Sequence, residues 1–136
     1  MYNRSMNITL YIGVLITLAI LDSIWLFTMG GHYRQWLNGL FASSFNFTPA
    51  VIFYLIYAAG VVFFVISPAV RAAMELRTVF FTGAFLGLVA YATYDLTNHA
   101  TLKGWPLTVT LVDIVWGTLL TGIASVIVVA VYNAFK

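Results

Sequence analysis

Residues 8–29 read ITLYIGVLITLAILDSIWLFTM, an apolar run with a single charge, Asp22. A helix crossing the hydrocarbon core of a bilayer needs about 20 mostly apolar residues, so this stretch is long enough to span one. The run is too long for a signal-peptide core, and no small-x-small cleavage site follows Phe27. Three further stretches of the same kind follow. One covers about residues 49–66 within an uncharged tract between Arg34 and Arg71, another about 78–98 with Asp95 inside it, and the last about 106–132 with Asp113 inside it. The sequence therefore predicts an all-α polytopic membrane protein, a single membrane domain over residues 1–136 built as an up-down four-helix transmembrane bundle.

Composition supports this and removes several function classes. Of the 136 residues, 62% are hydrophobic and 7% charged, whereas about a quarter of residues in a soluble domain are charged. A net charge of +2 leaves no basic stripe able to neutralise a nucleic-acid backbone, so nucleic acid is excluded as a partner. With no cysteine, disulfides, thiolate metal sites, iron–sulfur clusters and thiol catalysis are all excluded.

Lys and Arg in short loops resist translocation. Arg4, Arg71, Arg77 and Lys136 fall on one side of the predicted bundle and Arg34 and Lys103 on the other, which places both termini in the cytoplasm of a bacterial cell, with the protein in the cytoplasmic (inner) membrane. The first outer loop has a helical pattern: Tyr33, Trp36, Leu37, Leu40 and Phe41 share one face. This predicts a short interfacial amphipathic helix over about residues 32–42, lying flat at headgroup level. Both returning spans open on a proline, Pro49 and Pro106, which suits a first turn because the missing N–H has no partner there.

The chemistry of the chain lies in its aspartates. Asp22 is 8 residues before Gly30, Asp113 is 7 after Pro106, and Asp95 is 4 before His99. At about 1.5 Å per residue they lie roughly 12, 10 and 6 Å from the outer ends of their helices, all in the outer half of the membrane. Asp22 with Trp25 and Asp113 with Trp116 repeat a D-x-x-W pattern that stacks acid and indole on adjoining turns, and an indole N–H can donate to a carboxylate on a facing helix. Gly83, Gly87, Tyr91, Asp95 and Asn98 line one face of the third span, and Thr110, Asp113, Gly117, Thr121 and Ala124 one face of the fourth. Each Asp exposed at mid-membrane would cost about 2.5 to 3.5 kcal/mol, so these faces point inward. An intramembrane Asp can also serve only as packing glue, bonded to a Tyr, Trp or hydroxyl group.

No cofactor motif is evident. Asp22, Asp95, His99 and Asp113 offer oxygen and imidazole donors to a divalent metal ion. A retinal Schiff base would need a lysine within a span, and the di-iron clusters of membrane desaturases need more than the two histidines present. Ser23 beside Asp22, with His99 far along the chain, does not make a nucleophilic triad by spacing.

The block Tyr94-Asp95-Leu96-Thr97-Asn98, followed by Gly104-Trp105-Pro106 and by Asp113 with Trp116-Gly117, resembles an uncharacterised family of small bacterial membrane proteins with four predicted helices, a domain of unknown function. Leu21-Asp22 with Trp25-Leu26, and the stretch Phe53–Tyr57 with Gly60, are similar to it too. The resemblance covers nearly the whole chain and implies topology without an activity.

Binding or transport is therefore favoured over catalysis. The expected site is an outward-facing acidic pocket for a small cation, a proton-coupled solute or an amphiphile. Asp22, Asp95 and Asp113 supply charge, His99 is a proton acceptor, Trp25, Tyr91, Tyr94, Trp105 and Trp116 form walls, and Asn98 lies alongside. The alternatives are an enzyme acting on membrane lipid at the outer leaflet, with Asp95 and His99 as its acid–base pair, and a structural subunit of a membrane complex. The partners expected are the lipid bilayer, a small-molecule or cation ligand, and a second copy of the chain packed through Gly83-x-x-x-Gly87 or Ala58-Ala59-Gly60.

Overall fold

In a bilayer every backbone N–H and C=O must be satisfied within the protein, and a helix does this within one segment. The computed structural model describes residues 4–136. Residues 1–3 of the expected domain lie outside the described residues, as does the side chain of Arg4 used in the charge count. Among the described residues there are five α-helices, α1 (Arg4–Trp36), α2 (Phe47–Val61), α3 (Ser67–Arg71), α4 (Leu76–Thr101) and α5 (Leu107–Ala134), with a π-helical turn over Val62–Ile66 joining α2 to α3. Taken together, α2, the π-turn and α3 form one rod, Phe47–Arg71, so four rods are long and apolar enough to cross a membrane.

The second rod runs five residues further than the expected end at residue 66, and Pro68 explains the form it takes. Proline cannot donate to the carbonyl four residues back and its ring clashes with it. Widening the preceding turn relieves this, and the Ser67 N–H bonds the Val62 carbonyl five residues back. At its other end α2 is capped by Asn46, whose side chain accepts from the Thr48 N–H at 3.1 Å.

The separate interfacial helix expected over 32–42 is not formed. Residues 32–36 are the last turns of α1, and turns and irregular chain follow from Leu37. Gly30, the expected outer end of the first span, and Gly31 stay helical. Each costs about 1 kcal/mol relative to Ala in a helix, and the hydrogen bond of Tyr33 to α5 helps to hold the extension. The helix ends at Trp36, with the Leu37 N–H bonded to the Tyr33 carbonyl, and the chain then turns through Gly39, whose φ of +85 suits glycine. At 33 residues, α1 is about 50 Å long and exceeds a bilayer core of about 30 Å.

We call the end with loops 37–46 and 102–106 the upper end. The lower half is aliphatic, with Val14, Val61, Val65, Ile66, Val79, Leu120 and Val129 almost fully buried. The tightest pairing is the α4–α5 hairpin. A Cβ at Gly87 would fall inside contact distance of the Gly117 carbonyl, and one at Gly83 would lie 2.6 Å from Ser125 Oγ. The Gly83-x-x-x-Gly87 strip is thus consumed within the chain, which corrects the expectation that it mediates self-association. Glycine there lets the two backbones touch.

Candidate functional site

A helical side chain leans toward the N-terminus of its helix. Tyr33, near the top of α1, therefore drops its ring toward the bundle, and its hydroxyl donates to Asp113 Oδ1 on α5. Trp25, on the same helix, donates from Nε1 to that hydroxyl at 3.3 Å. One turn deeper, Trp116 Nε1 donates to Asp22 Oδ1 at 2.9 Å, and the Tyr54 hydroxyl on α2 donates to Asp22 Oδ2. Trp25 and Trp116 stack with centroids 4.3 Å apart and planes 4° from parallel. The two D-x-x-W motifs, on antiparallel helices, interlock. Trp116 serves Asp22 directly, whereas Trp25 reaches Asp113 through Tyr33.

Below this layer Tyr57 shares a 2.6 Å hydrogen bond with Thr121 Oγ1, and Thr121 donates to the Gly117 carbonyl at 2.8 Å. The ring of Tyr91 lies where a Cβ on Gly117 would stand, so a glycine on α5 makes room for a tyrosine on α4.

Asp95 differs from the other two acids. It is 0% exposed, yet neither carboxylate oxygen has a hydrogen-bond donor in the structure. Its neighbour is the carboxyl group of Asp113. Asp95 and Asp113 therefore meet, while Asp22 lies about a turn deeper, bonded to Trp116 and Tyr54.

A cleft of about 460 Å³ opens between α1 and α2 at the upper end. Asp22, Asp113, Trp25, Trp116, Tyr91, Tyr33 and Tyr54 line it, with Arg34, Phe41 and Phe45 toward the loop. Half of the expected binding residues are thus brought to one cavity. Tyr94 lines a separate cavity of about 260 Å³ together with Tyr91 and Asp113. Trp105 bonds Thr110 Oγ1 at 3.1 Å and packs edge-on to Tyr94, and Asn98 lies beside the Tyr94 hydroxyl; none of the three lines the main cleft. His99 is exposed and makes no bond to Asp95, whose oxygens lack any partner. The acid–base pair drawn from their spacing is not assembled. Among the described residues no three His, Cys, Asp or Glu side chains are grouped to hold a metal ion.

Tyr33 and Tyr54 are the residues that sequence reading missed as carboxylate partners. Their signal was available, since a phenol within an apolar span needs a hydrogen-bond partner.

The fold and cleft define a class: a polytopic helical membrane protein with two carboxylates, Asp22 and Asp113, held by tyrosine and tryptophan inside the bundle. More narrowly, residues 7–130 match the family described as Predicted membrane protein (DUF2177), and the chain belongs to that family. No curated protein and no solved structure matches it.

Proposed function

We propose that the chain binds a small organic cation in the cleft between α1 and α2. The observation that carries this reading is the placement of two carboxylates, Asp22 and Asp113, among indole and phenol rings in the depth of a cavity whose loop end carries Arg34, Phe41 and Phe45. Aromatic faces attract ammonium groups, and the donors that hold the acids are neutral. They orient the carboxylates without adding a countercharge. Transport would follow if the cleft also opened toward the lower end.

The test is a titration of the purified protein with tetramethylammonium chloride against sodium chloride, read by tryptophan fluorescence, because Trp25 and Trp116 border the cleft. A saturable change specific to tetramethylammonium is expected. The Asp22→Asn, Asp113→Asn double variant should bind at least about tenfold more weakly, because a quaternary ammonium is held by charge, and one unit charge about 4 Å away contributes about 1 to 4 kcal/mol between bulk water and a protein surface. An identical response from wild type and a folded double variant overturns the reading.

We also propose that the upper end faces outward from a bacterial cytoplasmic membrane. Arg71, Arg77 and Lys136 lie toward the lower end and Arg34 and Lys103 toward the upper. Because the chain has no cysteine, single variants are clean reporters. Asn38→Cys and Thr101→Cys should react with a membrane-impermeant maleimide on intact cells, and Glu75→Cys only after lysis; the reverse pattern inverts the topology.

A further inference from the structure

The second cavity shows where a larger ligand would go. Asp113 and Tyr91 border both it and the main cleft, so the two spaces adjoin at this pair of side chains. The remaining walls of the second cavity are Phe53 on α2 and Ala90 and Tyr94 on α4. Phe53 and Tyr94 are 45% and 58% exposed, and they stand on the surface that a bilayer would cover. Lower down the π-turn packs against α4, and Tyr57 meets Tyr91 edge-on with centroids 6.3 Å apart. Above that level α2 and α4 are held apart, and the space between them is bordered by apolar and aromatic groups up to the Asp113 carboxylate.

A cavity that is acidic at its inner end and apolar at its lateral mouth matches a molecule with the same polarity. We propose that the ligand of this site is a membrane-borne cationic amphiphile, its ammonium headgroup held between Asp22 and Asp113 and its alkyl chain leaving the bundle between α2 and α4 past Ala90. This deepens the cation-binding reading and rests on it. The tail would exchange bilayer contact for the walls formed by Phe53, Ala90 and Tyr94, so the lateral gap, rather than the aqueous mouth beside Arg34, is its route of entry.

The experiment uses Ala90→Cys, the sole cysteine in the variant chain. The protein is folded and purified first, then part of it is modified with benzyl methanethiosulfonate, which fills the gap after folding. Tetramethylammonium and decyltrimethylammonium are titrated against both forms in the same micelles, so micellar partition cancels. The unmodified form should prefer the decyl compound by far more than the modified form does, since each fully buried methylene is worth about fourfold in affinity. Tetramethylammonium should bind both forms equally. Equal preference for the decyl compound in both forms overturns the lateral route while leaving the cation site standing. Failure of tetramethylammonium to bind either form overturns the cation site, and the amphiphile with it. Should the cysteine prove unreactive, Phe53→Trp, at an exposed position, is expected to reduce the decyl preference as well, and an unchanged preference there counts against the proposal.

Discussion

Gly87→Ala is expected to destabilise the bundle by about 3 kcal/mol or more, while Gly60→Ala, the same substitution on another helix, stabilises it by up to about 1 kcal/mol. The added methyl at Gly87 would meet the Gly117 carbonyl and would lie 2.6 Å from Thr121 Oγ1. A carbonyl cannot rotate away as a side chain can, so α4 and α5 must separate. Thr121 also bonds the Gly117 carbonyl and the Tyr57 hydroxyl, and separation therefore disturbs the docking of α2. At Gly60 nothing lies within 4 Å of the added carbon. There the methyl only lowers the backbone entropy lost on forming the helix. Unfolding in mixed micelles with increasing dodecyl sulfate, followed by circular dichroism, reads both variants. Destabilisation of equal size at the two sites would show that α4 and α5 do not touch as described.

The comparison also shows what the sequence made legible. Four apolar runs, each bounded by charge, Gly or Pro, located the four spans because bilayer thickness sets helix length. Rise per residue puts Asp22, Asp95 and Asp113 in the outer half of the membrane; the structure joins the last two and sets Asp22 about a turn deeper. The indole-to-carboxylate bond expected from D-x-x-W is formed by Trp116 and Asp22. Periodicity misled at Tyr33: five apolar residues on one helical face describe a helix lying on a membrane, but they describe equally well the top of a long span. What separates the two is the bond from Tyr33 to Asp113, 80 positions away in sequence, and no local pattern carries a contact of that range. His99 failed for a related reason. A spacing of four residues puts two side chains on one face, but Asp95 turns into the α4–α5 seam while His99 stands exposed at the helix end.

Asp22→Asn and Asp95→Asn are expected to move stability in opposite directions. Asp22 accepts from Trp116 at one oxygen and from Tyr54 at the other. An amide has one acceptor oxygen, and the indole, which can only donate, takes it; Tyr54 can then only accept from the amide N–H, and its own O–H loses its acceptor at a cost of about 1–3 kcal/mol. Asp95 has no donor at either oxygen and lies against the Asp113 carboxyl. An amide there supplies an N–H to Asp113 without requiring one of two touching carboxyls to bind a proton, a gain on the order of 1 kcal/mol. The same detergent unfolding curves should place Asp95→Asn above wild type and Asp22→Asn below it. The stabilised Asp95 variant should also bind tetramethylammonium more weakly, because the new N–H engages an oxygen of Asp113 that the cation would otherwise meet. A buried acid whose removal stabilises the protein and weakens binding is held in place by what it does, as expected of an ionisable group within a membrane. If Asp95→Asn instead lowers stability, the carboxyl group already has a donor in the folded bundle and serves as packing glue.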